Sequence, residues 1–148
     1  MDIGIYPVFY SLMFLGIPKT IKTLTSFSKT NSEESIAILM KYKNETFAVL
    51  TSSFDAISKN ETELCFENGF IKFERNKNIN LYSNGINQFI KIEKDQNFGF
   101  QHEAKHAMDC LDKKLIQSPI LSHEFSKNLI SILDQIRKES NIVFPNND

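Results

Sequence analysis

The chain has 148 residues, 41% hydrophobic and 24% charged, with a formal net charge of −1, which suits one globular domain with a single core. Near-neutral charge leaves no basic surplus to hold nucleic acid or an anionic membrane. Two isolated cysteines, Cys65 and Cys110, form neither a C-x-x-C pair nor a dense framework and fit free thiols in a reducing cytoplasm.

The first segment, Ile3 to Ile17, is almost wholly apolar. It lacks the basic start and small-x-small cleavage site of a signal peptide. It is also shorter than the ~20 residues of a membrane span and contains Pro7. A buried helix over Asp2–Leu15 is the reading that remains. Gly16 and Pro18 are its stop signals, and Pro7 places the helix proper near Tyr6. At about 100° per residue, Ile5, Val8, Phe9, Leu12 and Leu15 share a face, and Asp2 and Tyr6 are i, i+4 neighbours on an adjacent one.

From Thr20 to Glu93 the texture is β. The predicted strands are Thr20–Phe27, Ser35–Tyr42, Thr46–Phe54, Glu61–Phe66, Phe70–Glu74, Ile79–Ser83 and Ile86–Glu93. Lys43-Asn44-Glu45, Glu67-Asn68-Gly69 and Ser83-Asn84-Gly85 read as hairpin turns between antiparallel neighbours. Two strands are apolar on both sides: Ile36, Ile38 and Met40 against Ala37 and Leu39, then Phe47 and Val49 against Ala48 and Leu50. Such a sheet needs two covers. Helices of this chain can supply one, and a partner subunit or domain the other.

Two helices follow. Phe100, Ala104, Ala107, Met108 and Leu111 form the expected buried stripe of the first. Ser122 is the expected N-cap of the second, with Phe125, Leu129, Ile132, Leu133 and Ile136 facing inward. Ile142-Val143-Phe144 reads as a short last strand before Pro145. Cys110 is expected as a small core hydrophobe, and Asp134 and Lys138 as a solvated i, i+4 pair.

His102-Glu103-Ala104-Lys105-His106 satisfies H-E-x-x-H, the zinc hydrolase pattern, with His123 as a conceivable third ligand. Taking Ala104 as zero, the apolar stripe lies within about 60° and both histidines near 160–200°. That would point them away from a buried face, where a supported metal site is not expected. Nor do the five glycines, at 4, 16, 69, 85 and 99, form G-x-G-x-x-G. Strand–helix alternation is absent from the β region, so no dinucleotide site is encoded here.

Two groups of residues remain. Asp2, Gly4 and Tyr6 spell D-x-G-x-Y. Gly99, Phe100, Glu103-Ala104, Cys110-Leu111, Ser118-Pro119, Ser126, Asp134, Ile136-Arg137 and Pro145 form a second signature. Together they resemble the C-terminal domain of the Gfo/Idh/MocA oxidoreductases, especially the dihydrodiol-dehydrogenase-like branch, in which Glu-Ala-Lys-His also recurs. The resemblance implies an α+β domain over residues 1–148, with a large, mostly antiparallel open sheet and helices packed on one face.

It further implies an NAD(P)-dependent oxidation of a sugar, polyol or diol hydroxyl by hydride transfer. Tyr6, with Asp2 beside it, would be the catalytic acid–base. A free phenol titrates near pH ~10 and is a poor base until a neighbouring ammonium lowers that value. Similar proteins supply the ammonium from a Glu-Lys-Pro lysine in a preceding Rossmann domain, and no Glu-Lys-Pro occurs here. Met1 falls where similar proteins continue a Gly-rich segment, so the Rossmann half is expected to be missing. The implied partners are a second copy bound through the sheet, a separate Rossmann domain, and a small-molecule substrate. The other reading is a non-catalytic or decayed domain that self-associates.

Overall fold

A computed structural model describes residues 2–74, 78–92 and 99–143. The described residues form α1 (Ile5–Leu15), β1 (Thr20–Phe27), β2 (Glu33–Lys41), β3 (Phe47–Ser53), β4 (Glu61–Phe66), β5 (Gly69–Glu74), β6 (Ile79–Ser83), β7 (Ile86–Ile90), α2 (Phe100–Asp112) and α3 (His123–Glu139). They group into two compact units, Met1–Ile57 with Gln117–Asp148, and Ser58–Ile116. The α+β class holds, and every strand pairing is antiparallel. Among the described residues no helix is long and apolar enough to cross a membrane.

The first unit is a three-stranded sheet, β1-β2-β3, with α1 and α3 on one face. Its core joins Val8 and Leu12 of α1, Ile36, Ile38 and Met40 of β2, Tyr42, and Leu129, Ile132 and Ile136 of α3. Strand alternation puts Ile36, Ile38 and Met40 on the helix side, while α3 supplies residues at helical spacing to meet them. Each fully buried aliphatic side chain contributes about 1.5–3 kcal/mol. Phe9 of α1 meets Phe125 of α3 edge-on at 5.2 Å. The Ser122 hydroxyl accepts from the Phe125 N–H at 3.1 Å and caps α3, as its residue type predicts.

On the opposite face of this sheet the described large apolar side chains are exposed. In register, Lys22 pairs with Leu39 and Leu24 with Ala37, while Leu39 faces Val49 and Lys41 faces Phe47. Leu24 is 79% exposed, Phe47 70%, Val49 61% and Leu39 54%. Among the described residues, the two-sided apolar strands are therefore covered on one face, by α1 and α3.

The second unit contains a four-stranded meander, β4-β5-β6-β7. Asn84 and Gly85 both have positive φ (49° and 84°), the backbone of a type I′ turn between β6 and β7. A Cβ at Gly69 would sit 2.0 Å from the Tyr82 carbonyl oxygen, so only glycine admits the approach of β5 to β6 there. Register gathers Leu64, Phe66, Ile71, Leu81 and Ile86 on one face and Glu61, Glu63, Lys72 and Asn80 on the other.

Two expectations need correction. The α2 stripe is not buried: Phe100, Ala104, Ala107, Met108 and Leu111 are all exposed, and the partly buried positions are His106, Asp109 and Cys110. Periodicity identifies residues that share a face, but it does not say that anything covers it. Ile142 and Val143 do not form a strand, and Phe144 and Pro145 lie outside the described residues, as does Glu93.

Candidate active site at the head of α1

The start of α1 is built from Asp2-Ile3-Gly4-Ile5-Tyr6. A turn over Asp2–Gly4 leads into the helix, the Tyr6 N–H donating to the Ile3 carbonyl at 3.4 Å. Val8, Ser11 and Leu12 face the core, and Tyr6 lies about 160° around the helix from Val8. The phenol is therefore directed away from this unit's own core and is 59% exposed. Asp2 is exposed as well, in the turn before the helix. Both predicted site residues thus stand at one end of one helix. The same side carries Tyr10 and Met13, and Tyr10 stacks on Phe14 at 6.3 Å.

α1 is held by one polar contact that periodicity did not anticipate. The buried Ser11 Oγ lies 2.6 Å from the Tyr42 hydroxyl, either oxygen able to donate. Tyr42 O–H is 3.5 Å from Met40 Sδ, and Ser11 Oγ is 3.7 Å from the same sulfur. Burial raises the Tyr42 phenol above its ordinary value, only partly offset by the Ser11 hydrogen bond. The available sequence signal was a serine on the Val8–Leu12 face of an otherwise apolar helix.

The H-E-x-x-H segment lies on α2. His102 and Glu103 are exposed, whereas His106 is partly buried with Nε2 3.5 Å from Cys110 Sγ. Cys110 is thus a histidine partner rather than a plain core hydrophobe. With the apolar stripe exposed, the expected opposition between histidines and a buried face does not hold. Among the described residues no group of three or more His, Cys, Asp or Glu side chains is placed to hold a metal ion. On the flank of α2, Lys105 Nζ pairs with Asp109 at 2.9 Å and lowers that carboxyl's pKa. On α3, Asp134 lies 4.0 Å from Arg137 Nε, three residues on rather than four. The hydrogen bond to Glu63 raises the Cys65 thiol, against the activation a nucleophile needs.

A dinucleotide requires a Gly-rich turn between a strand and a helix N-terminus. In the described residues α1 precedes every strand, α2 comes after β7 with the single glycine Gly99 at its N-cap rather than a Gly-rich turn, and the head of α3 is closed by its own Ser122. The residues present do not fit NAD(P) by themselves.

No family model matches the chain. Its sequence is 29% identical over 156 residues to trans-1,2-dihydrobenzene-1,2-diol dehydrogenase of Xenopus tropicalis, covering 98% of this chain and 47% of the relative. The human protein of the same name is 27% identical over 161 residues with the same coverage. The chain therefore spans about half the length of these relatives. In fold it matches UDP-N-acetylglucosamine 3-dehydrogenase of Acidithiobacillus ferrooxidans with a TM-score of 0.82 at 13% identity, over 95% of this chain and 46% of that one. Over nearly its whole length the chain is similar to the C-terminal half of dihydrodiol-dehydrogenase-like Gfo/Idh/MocA oxidoreductases. Another structure with the fold of this C-terminal half is a Synechocystis biliverdin reductase in complex with biliverdin and NADP+, with a TM-score of 0.72 at 11% identity and 93% and 45% coverage. The NADP+ of that complex belongs to the neighbour; among this chain's described residues no dinucleotide cradle is found.

Proposed function

We propose that this chain is the substrate-facing and self-associating half of an NAD(P)-dependent oxidoreductase that acts on a sugar, polyol or diol hydroxyl. The observation that carries this reading is the placement of Tyr6. The last residue of D-x-G-x-Y stands exposed at the head of a helix whose other side is locked into the core. Match along 98% of the chain to proteins named as diol dehydrogenases supports the substrate class.

In this reading the nicotinamide is carried by a nucleotide-binding half that these 148 residues do not include. This chain's own part is to present Tyr6, which accepts the hydroxyl proton as the carbinol carbon is oxidised. Asp2 lies beside it as an orienting carboxylate. A phenol performs this task only if a cation supplied by the other half stabilises the phenolate, so the chain is inactive alone. The exposed face at Leu24, Leu39, Val49 and Phe47 is the surface through which two copies pair.

That same face supports a second reading, a non-catalytic domain that only self-associates. Calorimetric titration with NADH and NADPH separates the two. Binding only when a matching nucleotide-binding half is present is the result expected. Absence of binding in both arms would leave the assembly domain and remove Tyr6 from catalysis.

A further inference from the structure

The α1 helix is apolar on nearly every side, and that poses a packing problem. One face carries Ile5, Val8, Phe9 and Leu12; another carries Tyr6, Tyr10 and Met13. Apolar burial is non-directional and scales with area, so it discriminates weakly between rotations of such a helix. A buried hydroxyl is different, because it is costly unless its partner is within reach. Ser11 is buried, and the Tyr42 oxygen is 2.6 Å away. Tyr42 is itself anchored: its ring is buried, and its N–H donates to the Thr46 carbonyl at 2.9 Å across the β2–β3 turn.

We infer that Ser11 and Tyr42 are positioning residues, whose hydroxyl pair fixes the rotation of α1 about its axis and so the direction in which the Tyr6 phenol leaves the helix. This deepens the proposed function and rests on the reading of Tyr6 as the acid–base group. Ser11 and Tyr6 are about 7.5 Å apart along one rigid helix, and a rotation of about 20° would move a group ~6 Å from the axis by about 2 Å. A displacement of about 1 Å can already cost ~10²-fold in rate. Met40 Sδ, within 3.7 Å of both hydroxyls, supplies an acceptor for whichever hydrogen the pair leaves over.

The test uses the chain labelled with meta-fluorotyrosine, which reports on Tyr6, Tyr10, Tyr42 and Tyr82 separately once Tyr6→Phe has assigned the first. Ser11→Ala is compared with Ser11→Ala combined with Tyr42→Phe. Ser11→Ala should lower Tm and move the Tyr6 resonance. The double variant should regain part of the Tm, since no hydroxyl is left unpaired, yet keep the Tyr6 resonance displaced, with Tyr82 of the other unit unchanged. In the reconstituted enzyme both variants should lose about 100-fold in kcat with little change in KM. A Tyr6 resonance that stays in place while Tm falls would overturn the inference and reduce the pair to packing. If the single variant does not fold, the position of the Tyr6 resonance in the double variant decides the question alone. A displaced resonance in a mixture that never reduces nicotinamide would support the lock and sink the oxidoreductase reading.

Discussion

Tyr6 and Tyr42 show how one residue type takes opposite roles in different surroundings. Tyr6 is open to solvent at the head of α1, where a second domain can reach it, whereas Tyr42 is closed in the core against Ser11 and Met40. Replacing Tyr6 by Phe should leave Tm unchanged and lower turnover of the reconstituted enzyme by about 10²–10⁴-fold, the usual share of a general acid–base. Tyr42 makes a pH prediction. Burial raises its pKa above the ordinary value of 10.0, so the folded chain holds that proton more tightly than the unfolded one. Its contribution to stability is complete below pH about 10 and falls as pH rises through the folded-state value. Urea unfolding midpoints should therefore drop above pH ~10 in the wild type and drop less in Tyr42→Phe.

At the scale of elements, much of the fold was legible because its signals are local. Gly16 after α1, Ser122 before α3 and Asn84-Gly85 between β6 and β7 each mark a backbone requirement that one or two residues meet. Ser122→Ala should cost about 1 kcal/mol, read by denaturant unfolding. Ile38→Ala, which opens a cavity between α1, α3 and β2, should cost about 2–5 kcal/mol in the same assay. What stayed illegible depends on tertiary partners. The spacing of Phe100, Met108 and Leu111 marks a helical face but says nothing about its cover, and those residues are exposed. The Ser11–Tyr42 bond joins positions 31 apart and leaves no periodic trace. The D-x-G-x-Y motif pointed to Tyr6 and Asp2, whose exposed place at one helix end is compatible with the proposed chemistry. The Cys110–His106 contact on α2 has the i, i+4 spacing of helical neighbours, but reading Cys110 as a core hydrophobe passed it over.

For the whole molecule, the exposed sheet face raises the question of assembly. Leu24, Leu39, Val49 and Phe47 are exposed on one face of the sheet, with Lys22 and Lys41 among them, and exposed apolar side chains gathered in this way can mark an interaction site. The chain should sediment as a dimer or larger species. Leu24→Lys with Phe47→Lys should shift it toward monomer with little change in the unfolding midpoint, since neither side chain belongs to the core. A wild-type monomer at high concentration would show that the sheet face does not drive assembly. In the proposed function this half presents a phenol to an alcohol while another half carries the nicotinamide. The most direct test is diol- or polyol-dependent formation of NADH or NADPH in a mixture of this chain with a matching nucleotide-binding half, wild type against Tyr6→Phe. Turnover in the mixture that disappears with the phenol is the predicted result. A mixture that binds nicotinamide but turns over equally well with phenylalanine at position 6 would contradict it.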